Sequence, residues 1–173
     1  MCGIVGYIGG RQASDVCLAG LKRLEYRGYD SAGIAVVRDG ELSVLKVVGK
    51  LSALADALKE QPLEGTLAIG HTRWATHGKP SQVNSHQHTS MDGRIALVHN
   101  GIIENYARLR DQLESEGVEF ASQTDTEVIV HLVDKYYEGD LAAAFRRATE
   151  ELEGAFAIGL VCADHPDQMI AAR

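Results

Sequence analysis

A cysteine stands directly after the initiator methionine, in the opening Met1-Cys2-Gly3-Ile4-Val5-Gly6. A small side chain at position 2 is what trimming of an initiator generally requires, and loss of Met1 would leave one residue with both a thiol and a free α-amine. An α-amine titrates at roughly 7.7 to 8.0 and an ordinary thiol at about 8.5, so near neutral pH the first can take the proton of the second. Such a residue is a nucleophile that carries its own base. The same cysteine could equally open a buried strand, because Ile4, Val5, Tyr7 and Ile8 follow it.

Histidine is the other concentration of reactive side chains: His71, His77, His86, His88 and His99 lie close together in the chain. Zinc takes such ligands. However, His86 and His88 fall in a polar stretch without a matching carboxylate or cysteine motif, so no metal is expected. His131, on a helical stretch, and His165, in a turn, read as structural or solvated. The three cysteines, Cys2, Cys17 and Cys162, form neither a disulfide framework nor a paired CxxC site. Cys17 shares a helical face with Ala13, Val16, Leu21 and Leu24, which makes it a core residue.

The elements that must position these groups follow from periodicity and turn chemistry. Residues 2–8 suit a buried strand, and Gly9-Gly10 separates it from the first helix. Residues 26–33 read as an irregular loop of mixed chemistry. Residues 34–37 and 42–48 flank Asp39-Gly40, a dipeptide made for a two-residue type I′ turn, and predict a hairpin. A short helix carries Leu51, Leu54, Ala55 and Leu58 and stops near Pro62. Strands are expected over 66–70 and 94–98, with a polar loop reaching from the end of the first to Thr89. Helical spacing resumes at Ile103, Tyr106, Leu109 and Leu113 and ends near Gly117. Thr124 to Glu127 has the spacing of a capping box ahead of Val128, Ile129, Leu132 and Val133. Asp140 caps a helix through Leu141, Ala144, Phe145 and Ala148. A strand over 155–161 and an apolar run over 169–172 close the chain. Hairpins mixed with helices, without regular βαβ alternation, predict an α+β fold of antiparallel sheet layered with helices.

The whole is an ordinary globular composition: 173 residues, 45% hydrophobic and 24% charged, with a formal net charge of -7. One domain over 1–173 is the expectation. The acidic balance and the lack of a basic run argue against nucleic acid or an anionic membrane as partner. There is no signal-peptide pattern and no apolar stretch of about 18 residues, which reads as a cytoplasmic protein.

Five stretches, in order, resemble one family. Cys2-Gly3-Ile4-Val5-Gly6, the HTRWATHG segment at 71–78, HNGIIEN at 99–105 and SQTDTE at 122–127 are similar to the class II glutamine amidotransferases, amide hydrolases with an N-terminal nucleophile. Within that class, the run from Arg23 to Gly33 resembles the family of glutamine:fructose-6-phosphate aminotransferases, which make glucosamine 6-phosphate. The amidophosphoribosyltransferase branch is the alternative, and so is a catalytically silent glutamine-sensing module.

The resemblance implies a four-layer α/β/β/α sandwich, C-terminally truncated, in which the sugar isomerase domain is absent. It implies glutamine as substrate, fructose 6-phosphate reached only through that missing domain, no cofactor, and homo-oligomeric full-length relatives. Cys2 would attack the glutamine side-chain amide to give a γ-glutamyl thioester and ammonia. Asn100, by its side-chain amide, and Gly101, by its backbone N–H, would form the oxyanion hole, although the pair also reads as a strand-ending turn. Arg73, helped by Thr76 and His77, would hold the α-carboxylate. Asp125 would hold the α-ammonium, or serve as a first-turn acid of the following helix. Trp74 would belong to a loop that closes over glutamine, or to the core. Arg27 and Gly28 would line the nucleophile's surroundings without an assigned step.

Overall fold

The computed structural model describes residues 2–74 and 78–173, with the backbone alone at Arg27. Its first half builds one sheet and its second half another. Strands β1 (Gly3–Ile8), β2 (Ser31–Arg38), β3 (Glu41–Val48) and β4 (Leu67–Arg73) pair antiparallel in the order β1-β4-β2-β3. Strands β5 (His88–Thr89), β6 (Ile95–Ile103), β7 (Gly154–Cys162) and β8 (Met169–Ala172) pair antiparallel in the order β5-β6-β7-β8. Helices α1 (Ala13–Leu24) and α2 (Leu51–Glu60) belong to the first half, and α3 (Tyr106–Ser115), α4 (Glu127–Tyr136) and α5 (Leu141–Glu150) to the second.

Side chains on a strand alternate between faces, so each sheet can feed two cores. In β2, Ala32, Ile34 and Val36 meet Ala13, Cys17 and Leu21 of α1 and Leu51 and Leu54 of α2. Ala35 and Val37 point the other way and join Leu67 and Ile69 of β4, Ala96 and Val98 of β6 and Val161 of β7 between the sheets. Ile95 and Leu97 of β6 and Ile158 and Leu160 of β7 face Leu109, Ile129, Leu132 and Phe145 of the second helix layer. Three apolar interfaces make four layers, α/β/β/α, as expected.

The turns follow their chemistry. Asp39 and Gly40 both take positive φ, 51° and 79°, as a type I′ turn between β2 and β3 requires. Asp140 caps α5 by accepting the Ala143 N–H at 2.9 Å.

Several expectations were wrong in detail. Strand β1 lies at a sheet edge and is only half-buried, with Ile8 well exposed. Ile103 ends β6 instead of starting α3, because its backbone still pairs with Gly154. The capping box does not form: the Glu127 carboxylate turns back to the Ala121 and Ser122 N–H groups at 2.8 and 2.7 Å, and Thr126 is the N-cap residue. The stretch before Thr89 is polar but not a solvated loop. Asn84, Ser85, His86, Gln87 and His88 are buried, each with polar partners inside the fold. Gln87 Nε2, for example, donates to the Gly33 and Ile69 carbonyls, both at 3.0 Å.

Candidate active site

Strand β4 carries the inter-sheet core up to a polar end. Leu67 and Ile69 face the opposite sheet, and the same two-residue alternation brings His71 and then Arg73 onto that face. Across the gap, β6 presents Ala96, Val98 and then Asn100. The apolar layer therefore opens into a pocket where both strands change from aliphatic to polar residues.

Residues from five parts of the chain line a cavity of about 550 Å³, among them Cys2, Arg73, Trp74, Asn100, Gly101 and Asp125. A recess of about 830 Å³ elsewhere, lined by residues that include Gln12, Arg38 and Glu64, has no cysteine among its described lining residues. Cys2 comes to the pocket because β1 runs antiparallel to β4, pairing Gly3 with Thr72. Its Sγ receives the backbone N–H of Trp74 at 3.2 Å and lies 3.6 Å from the Trp74 carbonyl oxygen. The other cysteines are buried away from the pocket, and burial pushes the Cys17 thiol up to about 12.

Asn100 and Gly101 sit within β6, opposite Ala157 and Phe156, so they belong to a continuing strand and not to a turn. At Gly101 φ is 133°, and a Cβ would come within 2.1 Å of the Ala155 carbonyl oxygen. Only glycine fits there.

Two opposite charges are held in the walls. Arg73 is 4% exposed, with Nη2 donating to the Gly78 carbonyl at 3.4 Å and Nη1 at 4.0 Å from Asp30 Oδ1. Asp125 is 3% exposed, and its Oδ2 accepts the Ile103 N–H at 2.9 Å. Asp125 lies two residues ahead of α4, outside the helix. A planar cation and a carboxylate lining one cavity are what a zwitterionic amino acid needs.

Trp74 is 55% exposed and is not a core residue. Its ring lies over Gly28, where φ is 73° and a Cβ would stand 3.3 Å from Trp74 Cζ3. Gly28 thus supports the wall, while Arg27 is described only in its backbone. Thr76 and His77 lie outside the described residues.

The floor was not foreseen. His71, His86, His99, Thr124 and Thr126 are buried beneath the pocket and hydrogen-bonded among themselves and to neighbours. Burial pushes His71 down to about 3 and His99 to about 4, and takes His86 well below its ordinary value. Neutral rings with protein partners fill this space, and no group of metal-holding residues occurs among the described residues. The alternation of β4 was the available signal for His71; nothing local marked Thr126.

A two-sheet sandwich with a thiol near the chain's start, at the polar end of its inter-sheet layer, defines the N-terminal-nucleophile class of fold. Comparison with known proteins agrees. A family model described as "Glutamine amidotransferase domain" matches residues 71–173, and the chain belongs to that family. It is 58% identical over its full length to a glutamine–fructose-6-phosphate aminotransferase (isomerizing) of Thermus thermophilus and 54% identical to that of Caldanaerobacter subterraneus, and spans 28% of each. Among solved structures, glutamine phosphoribosylpyrophosphate amidotransferase from B. subtilis aligns over 94% of this chain and 35% of its own, with TM-score 0.81 and 30% identity. A class II glutamine aminotransferase domain protein from Silicibacter pomeroyi shares the fold, with TM-score 0.58 and 19% identity over 83% of this chain and 68% of its own.

Proposed function

We propose that residues 1–173 form a glutaminase domain that hydrolyses glutamine to glutamate and ammonia, and that it supplies ammonia for converting fructose 6-phosphate to glucosamine 6-phosphate. The observation that carries this reading is one cavity lined by a thiol, an Asn-Gly pair in extended strand, a buried arginine and a buried aspartate. Higher identity to the aminotransferases than to the phosphoribosyl enzyme supports the sugar-phosphate branch.

In this reading Met1 is removed and the amine of Cys2 takes the thiol proton, directly or through water. Sulfur attacks the amide carbon, and the oxygen that becomes negative is met by Asn100 Nδ2 and the Gly101 N–H. The amine returns its proton to the leaving nitrogen, ammonia departs, and a γ-glutamyl thioester remains. Water attacks the thioester with the amine again as base and frees glutamate. Arg73, helped by Thr76 and His77, holds the α-carboxylate, Asp125 holds the α-ammonium, and Trp74 belongs to the loop that closes over glutamine. Arg27 lines the surroundings without a step. No cofactor takes part, and the setting is cytoplasmic. Among the described residues no helix is long and apolar enough to cross a membrane.

Release of glutamate from glutamine, abolished by Cys2→Ala, tests the reading. A Cys2→Ala protein with undiminished turnover would reject it, and a wild-type protein that binds glutamine without turning it over would favour a sensing module.

A further inference from the structure

Beneath the pocket His71 faces a partner that can only accept, and that partner fixes where its proton sits. Nε2 of His71 lies 3.2 Å from the His99 carbonyl oxygen and 2.8 Å from Asn100 Oδ1. A carbonyl oxygen only accepts, so Nε2 of His71 bears the proton. The amide atom facing it must then be oxygen, since an NH2 there would set donor against donor. Oxygen and nitrogen of a carboxamide point apart, so Nδ2 turns from His71 toward the cavity that Asn100 lines.

A neutral His71 protonated at Nε2 has a bare Nδ1. Nδ1 of His86 sits 3.1 Å from that atom and 3.0 Å from Nε2, whose proton is already shared between two oxygens. Near-equal distances to both nitrogens put His86 Nδ1 over the face of the His71 ring, in an edge-to-face contact with centroids 4.1 Å apart and planes at 67°, so the proton position on His71 is set by the two oxygens alone. His86 Nε2 lies 3.0 Å from Thr126 Oγ1, which lies 2.9 Å from Nδ1 of His99. Burial keeps the three rings neutral.

We infer that His71 is a positioning residue for the amide-hydrolysing step: its Nε2–H, fixed by the His99 carbonyl oxygen, locks the Asn100 amide with Nδ2 toward the developing oxyanion. An unlocked amide can turn its oxygen toward the oxyanion and repel it. This rests on the proposed role of Asn100.

The test compares His71→Asn, His71→Leu, His71→Gln and Asn100→Ala by kcat and KM for glutamine and by the rate of Cys2 alkylation with iodoacetamide. Alkylation displaces iodide at a saturated carbon and builds no oxyanion. A glutamine amide nitrogen reaches the place of Nε2–H; an asparagine one reaches only the place of Nδ1. The expected result for His71→Asn is a kcat lower by about 10- to 10²-fold, bounded by the loss of a whole oxyanion donor, with KM and alkylation little changed. His71→Gln recovers most of that loss, His71→Leu loses as much as His71→Asn, and His71→Asn adds little to Asn100→Ala because both act on one group. Wild-type kcat in His71→Asn, full additivity with Asn100→Ala, or no recovery in His71→Gln overturns the inference. Should His71→Asn fail to fold, an unchanged kcat in His71→Leu, which keeps bulk without a donor, overturns it and a lowered kcat with unchanged KM supports it. A wild-type protein that releases no glutamate overturns the functional reading and this inference with it, whereas wild-type turnover beside an unimpaired His71→Asn overturns the inference alone.

Discussion

The backbone N–H of Trp74 points at the sulfur of Cys2, 3.2 Å away, although the residues lie 72 positions apart. The first strand and the residue just past β4 are thereby fixed to each other at the mouth of the cavity. The nucleophile's place is set by backbone, because the register that pairs Gly3 with Thr72 brings the preceding residue beside Trp74. Substitutions of the Trp74 side chain leave that contact available, whereas loss of the β1–β4 register does not.

Asn100 and Arg73 should affect different kinetic constants. In the proposed mechanism Asn100→Ala removes a donor used only as charge develops, and kcat should fall by about 10²- to 10³-fold with KM little altered. Arg73→Ala, on the same proposal, removes a partner of the bound ground state and should mainly raise KM for glutamine. Steady-state kinetics on both variants check this; the reverse pattern contradicts the assignment.

Gly101→Ala should impair folding and catalysis together. The new Cβ would meet the Ala155 carbonyl oxygen at 2.1 Å with φ at 133°, so the strand must shift. A strained backbone residue costs on the order of 1 to 3 kcal/mol, and about 1 Å of misplacement can cost on the order of 100-fold in rate. A lower melting temperature with a strongly reduced kcat is expected. Unchanged values in both would show that the N–H of residue 101 is not held where the mechanism needs it.

Acid should destabilise the protein before the carboxylates titrate. His71, His88 and His99 are pushed down to about 3, 3 and 4, chiefly by burial, with Arg73 opposing protonation of His71 and His88, and Asp125 and Glu127 favouring it at His99 and His88 respectively. The unfolded chain takes up protons near pH 6.5 while the folded one does not, so stability is full above that value and declines as pH falls toward 4. Each ring contributes up to about 1.4 kcal/mol per pH unit in that window. Glu127, which burial would raise, is lowered to about 2 by His131 3.5 Å away and by hydrogen bonds from Ser122 and Ala121, and adds a further loss below its ordinary range. Melting temperatures measured from pH 7 to pH 5 should fall; a flat profile would mean that the rings are protonated in the folded state.

Local chemistry explains which parts could be read in advance. Asp39-Gly40 specifies its turn by conformation alone, and Ala13, Cys17 and Leu21 specify a helix face by spacing, so both are visible in a few residues. Cys2, Arg73 and Asp125, which line one cavity, were singled out together by the family resemblance, while residue type alone left Asp125 as readily a first-turn acid. Burial of residues 84–88 was not legible, because polar side chains look solvated until their partners, such as the Gly33 and Ile69 carbonyls under Gln87, are supplied from distant strands. The false capping box has the same cause: Glu127 finds its donors at Ala121 and Ser122, in a turn that no spacing rule reveals.

The proposed mechanism makes the amine of Cys2 the base, and retention of Met1 would convert it to an amide that cannot act as one. Protein that keeps Met1, identified by mass, should hydrolyse glutamine at a small fraction of the trimmed form's rate. Equal rates would contradict the built-in base.

The most direct test of the whole account is the intact mass of the protein after exposure to an electrophilic glutamine analogue, followed by mapping of the adduct. The account predicts a chain without Met1 bearing one adduct, on the peptide that begins with Cys2. Labelling at Cys17 or Cys162, or glutamate release from a protein whose Cys2 stays unmodified under saturating analogue, would contradict it.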